Sequence, residues 1–222
     1  MSNRIHGIAV CVDYDDFLSL AIESHIRLFD RYTVVTTPED LKTQSLCQKH
    51  GVRTVLSKRK NLNDLDFNLP ALINDGLKDL GSDTWTCKID SDIYLPAEFI
   101  EEARSAPLDR EWIYGARRAF CEKVGIFRSY LETRNFDLLE PPFEDTETAY
   151  GFFQLFHPEA RALQSTGAFY DEVNYHPPSY TNDRDFSGRF EGRVSALSSP
   201  VVHLGLEAIG TNWFGRKAPP FL

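Results

Sequence analysis

The segment Lys88-Ile89-Asp90-Ser91-Asp92-Ile93-Tyr94 sets two carboxylates two residues apart at the end of an alternating apolar run. Trp85, Cys87 and Ile89 alternate with Thr86, Lys88 and Asp90, the period-two pattern of a strand with one apolar face. Asp90 and Asp92 are then expected to share the other side, where the strand runs out. Pro96 follows and can open a helix, because its missing N–H would be unpaired there in any case. Carboxylates at the carboxyl end of a buried strand stand where open α/β sheets bind their ligands. Oxygen ligands of this kind suit Mg²⁺ or Mn²⁺, and such ions commonly bridge to phosphates. The chemistry expected is a divalent-cation site at Asp90 and Asp92 for a nucleotide diphosphate.

Context, not the tripeptide, carries that reading. Asp-x-Asp recurs at Asp13-Asp15, Asp64-Asp66 and Asp183-Asp185, and an isolated copy is ordinarily a solvated turn. Only Asp90-Asp92 combines an apolar strand, an acidic end and a Pro-started helix.

The elements around it alternate. Ile5-Val12 is a nearly continuous apolar run, as expected of a strand covered on both faces. Phe17, Leu18, Ala21, Ile22, His25, Leu28 and Phe29 follow at helical spacing after an acidic entry at Asp15-Asp16. Tyr32-Val35 reads as a strand, Pro38-His50 as a helix closed by Gly51, Val52-Leu56 as a strand, and Leu72, Ile73, Leu77 and Leu80 as a helix. Such alternation argues for a parallel sheet with right-handed crossovers. Past Leu95 the pattern changes. Trp112-Gly115 and Val124-Phe127 read as strands, Arg128-Thr133 as a short helix, and 135–148 as a long loop. Gly151-Phe156 reads as an aromatic strand, Pro158-Leu163 as a helix, 168–181 as a connection, Asn182-Phe190 as a helix and Val201-Leu204 as a last strand. The expectation is one α/β domain over 1–222, with a nucleotide half at 5–95, an acceptor half at 96–205 and a tail at 206–222.

The 222 residues carry 42% hydrophobic and 13% aromatic side chains, the composition of a packed globular chain. Net charge is −9, and the one basic cluster, Lys58-Arg59-Lys60, is too short to track a phosphate backbone. Nucleic acid is therefore not expected as a partner. No apolar stretch approaches the ~18 residues of a membrane span, and no secretory h-region precedes Ile5. Cys11, Cys47, Cys87 and Cys121 are scattered without a C-x-x-C pair, which suits free thiols in a reducing compartment. These features together point to the cytoplasm.

Four stretches resemble the glycosyltransferases of the GT-A fold, closest in pattern to the family 2 enzymes. Val12-Asp13-Tyr14-Asp15 stands where that family ends its first strand. Phe67-Asn68 and Ala71-Leu72-Ile73-Asn74-Asp75-Gly76-Leu77 resemble its Asn-rich helix. Asp90-Ser91-Asp92 matches its metal motif. Gly151-Phe156, then 167–172, then Asn182-Asp183-Arg184-Asp185-Phe186-Ser187-Gly188-Arg189 follow the order of its acceptor half. Departures are visible too. Thr36-Thr37-Pro38-Glu39-Asp40 replaces the acidic Asp-Asp-Gly-Ser turn that holds the nucleobase in many members. Leu69-Pro70 stands where a basic-plus-small pair is common, and Asn182 where a Glu is usual.

The resemblance implies a metal-dependent transferase that moves a hexosyl or pentosyl group from a nucleotide-diphosphate sugar to a glycan or other hydroxyl acceptor, with inversion. It assigns Asp183 as the base and Asp185 as a second catalytic acid. It makes His203, in Val201-Val202-His203-Leu204-Gly205, a third metal ligand beside Asp90 and Asp92. Tyr14, Asn74 and Asp90 become donor contacts. Trp213 and Arg216, in the Gly-bounded tail, become donor contacts on a lid. Each residue also has a structural role open to it. Asp183 can satisfy a helix N-terminus, Asp185 can pair with Arg189 one helical turn on, and His203 can bond a backbone carbonyl. The alternative is a non-catalytic sugar-nucleotide or glycan-binding module on the same fold. Nucleotidyl transfer would want a Gly-rich basic loop after the first strand, where Val12-Asp16 is acidic.

Overall fold

The structure is a computed structural model describing residues 2–78, 80, 83–143, 149–167, 169–175 and 180–205. Its first half follows the expected alternation closely. β1 (Ile5–Val10), α1 (Asp15–Leu28), β2 (Arg31–Thr36), α2 (Leu41–Lys49), β3 (Arg53–Leu56), α3 (Leu69–Leu77) and β4 (Trp85–Ile89) come in order. β3, β2, β1 and β4 are neighbours in one parallel sheet. α1 turns Phe17, Leu18, Ala21, Ile22 and Leu28 inward, with Asp15 and Asp16 in its first turn where the helix dipole favours acids. α3 is capped by Asn68, whose side chain accepts from Ala71 N at 3.0 Å. It lies so close to the sheet that a methyl at Gly76 would come within 2.8 Å of Ile8 and Val35.

The second half is β5 (Ile93–Tyr94), α4 (Ala97–Ser105), β6 (Ile113–Cys121), α5 (Val124–Thr133), β7 (Glu140–Phe143), β8 (Phe153–Phe156), α6 (Tyr180–Gly188) and β9 (Val194–Leu204). The sheet continues β4-β8-β6-β9-β5, with β7 paired to β6. β8 is antiparallel to β4 and β6, whereas β9 runs parallel to β6. The sheet is therefore parallel across the first half and mixed beyond it.

Three expectations are corrected. Val124–Phe127 is not a strand but the first turn of α5, because Phe127 and Tyr130 share one buried helical face. The loop expected at 135–148 contains a 3₁₀ turn at Phe136–Leu138 and the strand β7. Pro158-Leu163 yields only a 3₁₀ turn at Arg161–Leu163. β6 and β9 are also much longer than their apolar segments suggest. β9 holds two extra residues against β6, between the pairs Ala116/Leu197 and Arg117/Pro200. The freed N–H groups of Ser198 and Ser199 both donate to the Glu102 carboxylate at 2.7 Å. That bulge sets the register that brings His203 opposite Phe120.

Helices cover both faces. One core joins Phe17, Leu18 and Ile22 of α1 to Phe99 of α4, Phe127 of α5 and Phe153 of β8. The other joins Leu72 and Ile73 of α3 to Phe156 of β8 and Phe186 of α6. Each such side chain contributes about 1.5–3 kcal/mol by leaving water, and together they fix the strand ends on which the polar residues stand.

Candidate active site

β4 ends at Ile89, and Asp90-Ser91-Asp92 is a tight turn into β5. Five hydrogen bonds, one of them its own, hold it. Asp90 N donates to Phe152 O at 3.0 Å, Ile93 N to Asp90 O at 3.3 Å, and Leu204 N to Asp92 O at 2.9 Å. Ser24 Oγ accepts from Leu95 N at 3.0 Å. Behind the turn, the buried His25 of α1 bonds the Ile93 carbonyl through Nε2 at 2.6 Å and the Tyr32 hydroxyl through Nδ1 at 2.7 Å. Burial lowers the His25 pKa to about 4, so at neutral pH a neutral ring with its proton on Nε2 serves both partners.

The two carboxylates of the turn go to different cations and donors. Asp90, 40% exposed, accepts from the Lys88 ammonium at 2.6 Å. Lys88 is buried and also donates to the Gly151 carbonyl. Asp92, 15% exposed, has Oδ2 at 3.4 Å from His203 Nε2, while its buried Oδ1 has no hydrogen-bond partner. On the far side of the His203 ring, Nδ1 lies 3.3 Å from Arg118 Nη1. Arginine only donates, so Nδ1 carries the lone pair and the neutral ring keeps its proton on Nε2, aimed at Asp92. So placed, His203 has no lone pair left for a cation. Ligation would require Arg118 to release Nδ1 and the proton to move there.

Asp183 comes to the same place from α6. It is buried, and its carboxyl lies against Gly151, where an added Cβ would overlap it. Burial pushes its pKa up to about 6; the Lys88 charge and the Gly151 N–H oppose that rise, and Asp90 adds to it. Its Oδ1 has no hydrogen-bond partner. Gly151 thus stands between two charged groups, its carbonyl accepting from Lys88 and its N–H donating to Asp183. Asp185, two residues along the helix, is exposed. Positions i and i+2 point to nearly opposite sides of a helix, so the two acids do not work as a pair. Arg189 reaches Phe169 O at 2.8 Å and lies over the Phe186 ring.

Of the remaining sequence candidates, Asn74 and Tyr14 lie among the described residues. Asn74 is buried; its amide donates to Tyr170 O at 2.9 Å and Glu172 Oε2 at 3.0 Å and accepts from Tyr170 N at 2.8 Å. It holds segment 170–172, from which the Tyr170 hydroxyl donates to Gln154. Gln154 in turn donates to the Asp183 carbonyl at 3.1 Å. Tyr14 is buried with its ring stacked on Phe17, centroids 5.0 Å apart. Trp213 and Arg216 lie outside the described residues. Asp13, Asp15, Asp16, Glu39, Asp40, Leu41 and Lys42 line an open hollow of about 430 Å³ at the exits of β1 and β2. Asp40 joins those exits, accepting from Asp13 N at 2.9 Å, Thr36 Oγ1 at 3.0 Å and Thr43 N at 3.1 Å.

A parallel β3-β2-β1-β4 half with a carboxylate turn at the end of β4, followed by antiparallel β8 and a buried acid on α6, is a GT-A arrangement. Among solved structures, a mycobacterial protein aligns over 98% of this chain and 68% of its own, with TM-score 0.55 and 15% identity. Mannosyl-3-phosphoglycerate synthase from Rubrobacter xylanophilus aligns over 54% of this chain at TM-score 0.40 and 13% identity. Glucosyl-3-phosphoglycerate synthase from Mycobacterium tuberculosis, with Mn²⁺, UDP-glucose and phosphoglyceric acid, aligns over 52% at TM-score 0.38 and 14% identity. By the order and directions of its strands the chain has the Rossmann-like, GT-A fold. It spans 41% and 44% of the length of those two synthases. No family model matches it, and no curated protein matches it in sequence. Among the described residues, no helix is long and apolar enough to cross a membrane.

Sequence reasoning missed Lys88 and Arg118 as members of this site, and Gly151 as the contact between Lys88 and Asp183. A lysine inside a strand that is buried on both faces is the signal that was available for Lys88, since an unpaired ammonium there is costly.

Proposed function

We propose that this chain transfers a glycosyl group from a nucleotide-diphosphate sugar to an acceptor hydroxyl, with inversion and with Asp183 as the base. The observation that carries this reading is the Asp183 carboxyl, buried beside the Asp90-Asp92 turn with one oxygen free of partners. Burial gives it a proton affinity suited to base catalysis near neutral pH. The acceptor O–H gives its proton to Asp183 Oδ1. The acceptor oxygen then forms the new bond to the anomeric carbon from the face opposite the leaving group. The bond from that carbon to the diphosphate oxygen breaks, and its electron pair departs with the nucleoside diphosphate. Asp183 later returns the proton to solvent.

A divalent cation fits the residues present. Among the described residues no three carboxylate, imidazole or thiolate groups converge, yet Mg²⁺ is commonly held by one or two carboxylates plus substrate phosphates. Asp92, with its orphaned buried Oδ1, and the half-exposed Asp90 would supply that pair. His203 would join them only with Arg118 off its Nδ1, and otherwise orients Asp92. When bound, Mn²⁺ or Mg²⁺ neutralises charge building on the departing diphosphate. The acid-lined hollow at β1 and β2 would take the nucleoside, with Tyr14 packed at the entry of α1 and Asn74 holding segment 170–172. Residues 5–95 then form the donor half and 96–205 the acceptor half.

Incubation with Mn²⁺ and a panel of UDP-, GDP- and dTDP-sugars tests the reading through release of free nucleoside diphosphate. Slow release from one donor is expected. Tight binding of a donor with no release, even with glycan acceptors present, would make the chain a binding module instead.

A further inference from the structure

We propose that Arg118 is a diphosphate-binding residue of this site, a fixed guanidinium that takes phosphoryl oxygens of the bound nucleotide. The proposal rests on the glycosyl-transfer reading and deepens it by naming a protein cation for the anionic part of the donor.

Arg118 lies on β6 opposite Val201 of β9, two residues before Phe120, the partner of His203. Its guanidinium carbon is 4.5 Å from the Phe152 ring centroid and 4.8 Å from that of Phe120. Those faces hold the charged plane in place at little cost in hydrogen bonding. Its one hydrogen bond among the described residues is Nη1 to the neutral His203 Nδ1, and its buried Nε–H has no partner. No carboxylate among the described residues pairs with it within 4 Å, although Asp90 and Asp92 both attract it.

An arginine presents five N–H donors, and leaving buried donors unmet is costly. Of the nearby acids, Asp90 pairs with Lys88 and Asp92 turns Oδ2 to His203, and neither forms an ion pair with Arg118. Burial also lowers the Arg118 pKa, in keeping with a charge that lacks a close counter-ion. What such a group lacks is an anionic oxygen, and a guanidinium fork matches phosphate in a way an ammonium does not. Its place is also the right one. Through His203 it is one side chain away from Asp92, at the end of β4 where the donor diphosphate would lie.

The competing explanation is packing alone, with Arg118 serving as a plate between Phe120 and Phe152. Calorimetric titration of UDP, GDP and dTDP, and of the corresponding free nucleosides, into wild type and Arg118→Gln separates the two, in Mn²⁺ and in EDTA. The expected result is a 10- to 100-fold loss of affinity for whichever diphosphate the wild type binds, with nucleoside affinity within about twofold and partial rescue in Arg118→Lys. Equal diphosphate affinity in a folded Arg118→Gln would overturn the proposal, as would parallel loss for diphosphate and nucleoside. If Arg118→Gln does not fold, the Arg118 Nε–Hε resonance of the wild type, assigned with Arg118→Lys, is followed instead. It should shift with the diphosphate and not with the nucleoside, and an unmoved resonance overturns the proposal. If the wild type binds none of the diphosphates, the glycosyl-transfer reading falls and this proposal with it, whereas a diphosphate bound equally by both proteins removes only Arg118.

Discussion

The Asp183 carboxyl lies against the backbone of Gly151 so closely that a Cβ on that residue would occupy the same space. The same glycine accepts from Lys88 through its carbonyl. One residue without a side chain thus sets how a buried acid and a buried cation face each other.

Gly151→Ala should therefore move Asp183 without removing it. A displacement of about 1 Å at a reacting group can cost ~10²-fold in rate, so turnover should fall by that order while the affinity for nucleoside diphosphate stays near wild type. Steady-state kinetics alongside calorimetry check this. Unchanged turnover would mean that the position of Asp183 does not matter to the reaction.

The raised pKa of Asp183 makes a statement about stability. The folded protein holds that proton up to about pH 6, whereas the ordinary pKa is 3.8, so the stabilising contribution is complete below about pH 4. It is lost as pH rises through about 6, when a buried carboxylate must exist between Lys88, which favours its charge, and Asp90, which opposes it. Asp183→Asn lacks this loss. Relative to wild type, the variant should gain about 3 kcal/mol at most between pH 4 and pH 8, read from urea unfolding at both values. A mutant-to-wild-type difference that is the same at both would contradict a shifted Asp183.

The parallel first half of the fold was legible in the sequence because its signals are local. Period-two alternation in β4, the apolar run of β1 and the inward stripe of α1 each lie within one element, and Asp90-Asp92 stands where the alternation ends. The partners of those acids were not legible. Arg118 and His203 are 85 residues apart, Lys88 and Gly151 are 63 apart, and the bulge that aligns β9 depends on Glu102 of α4. Val124–Phe127 misleads for the converse reason: its short apolar run suits strand or helix, and only Tyr130, packed beside Phe127, decides for the helix.

His203→Ala removes the donor to Asp92 Oδ2 and the acceptor of Arg118 together. Mn²⁺ affinity should fall by about 10-fold, as when a residue that orients a metal-binding carboxylate is lost, with the melting temperature little changed. A lowered melting temperature with unaltered Mn²⁺ affinity would show that the ring serves only the packing among Phe120, Phe152 and Arg118.

The central claim is that Asp183 is the base, and Asp183→Asn tests it most directly, because the side chain keeps nearly the same volume and can still accept from Gly151 N–H. With the donor found in the nucleotide-sugar panel, its affinity should stay almost intact while transfer to acceptor falls by the ~10²–10⁴-fold typical of losing a general base. Unimpaired transfer by a folded Asp183→Asn would contradict the account and reduce Asp183 to an acid that merely supports the start of α6.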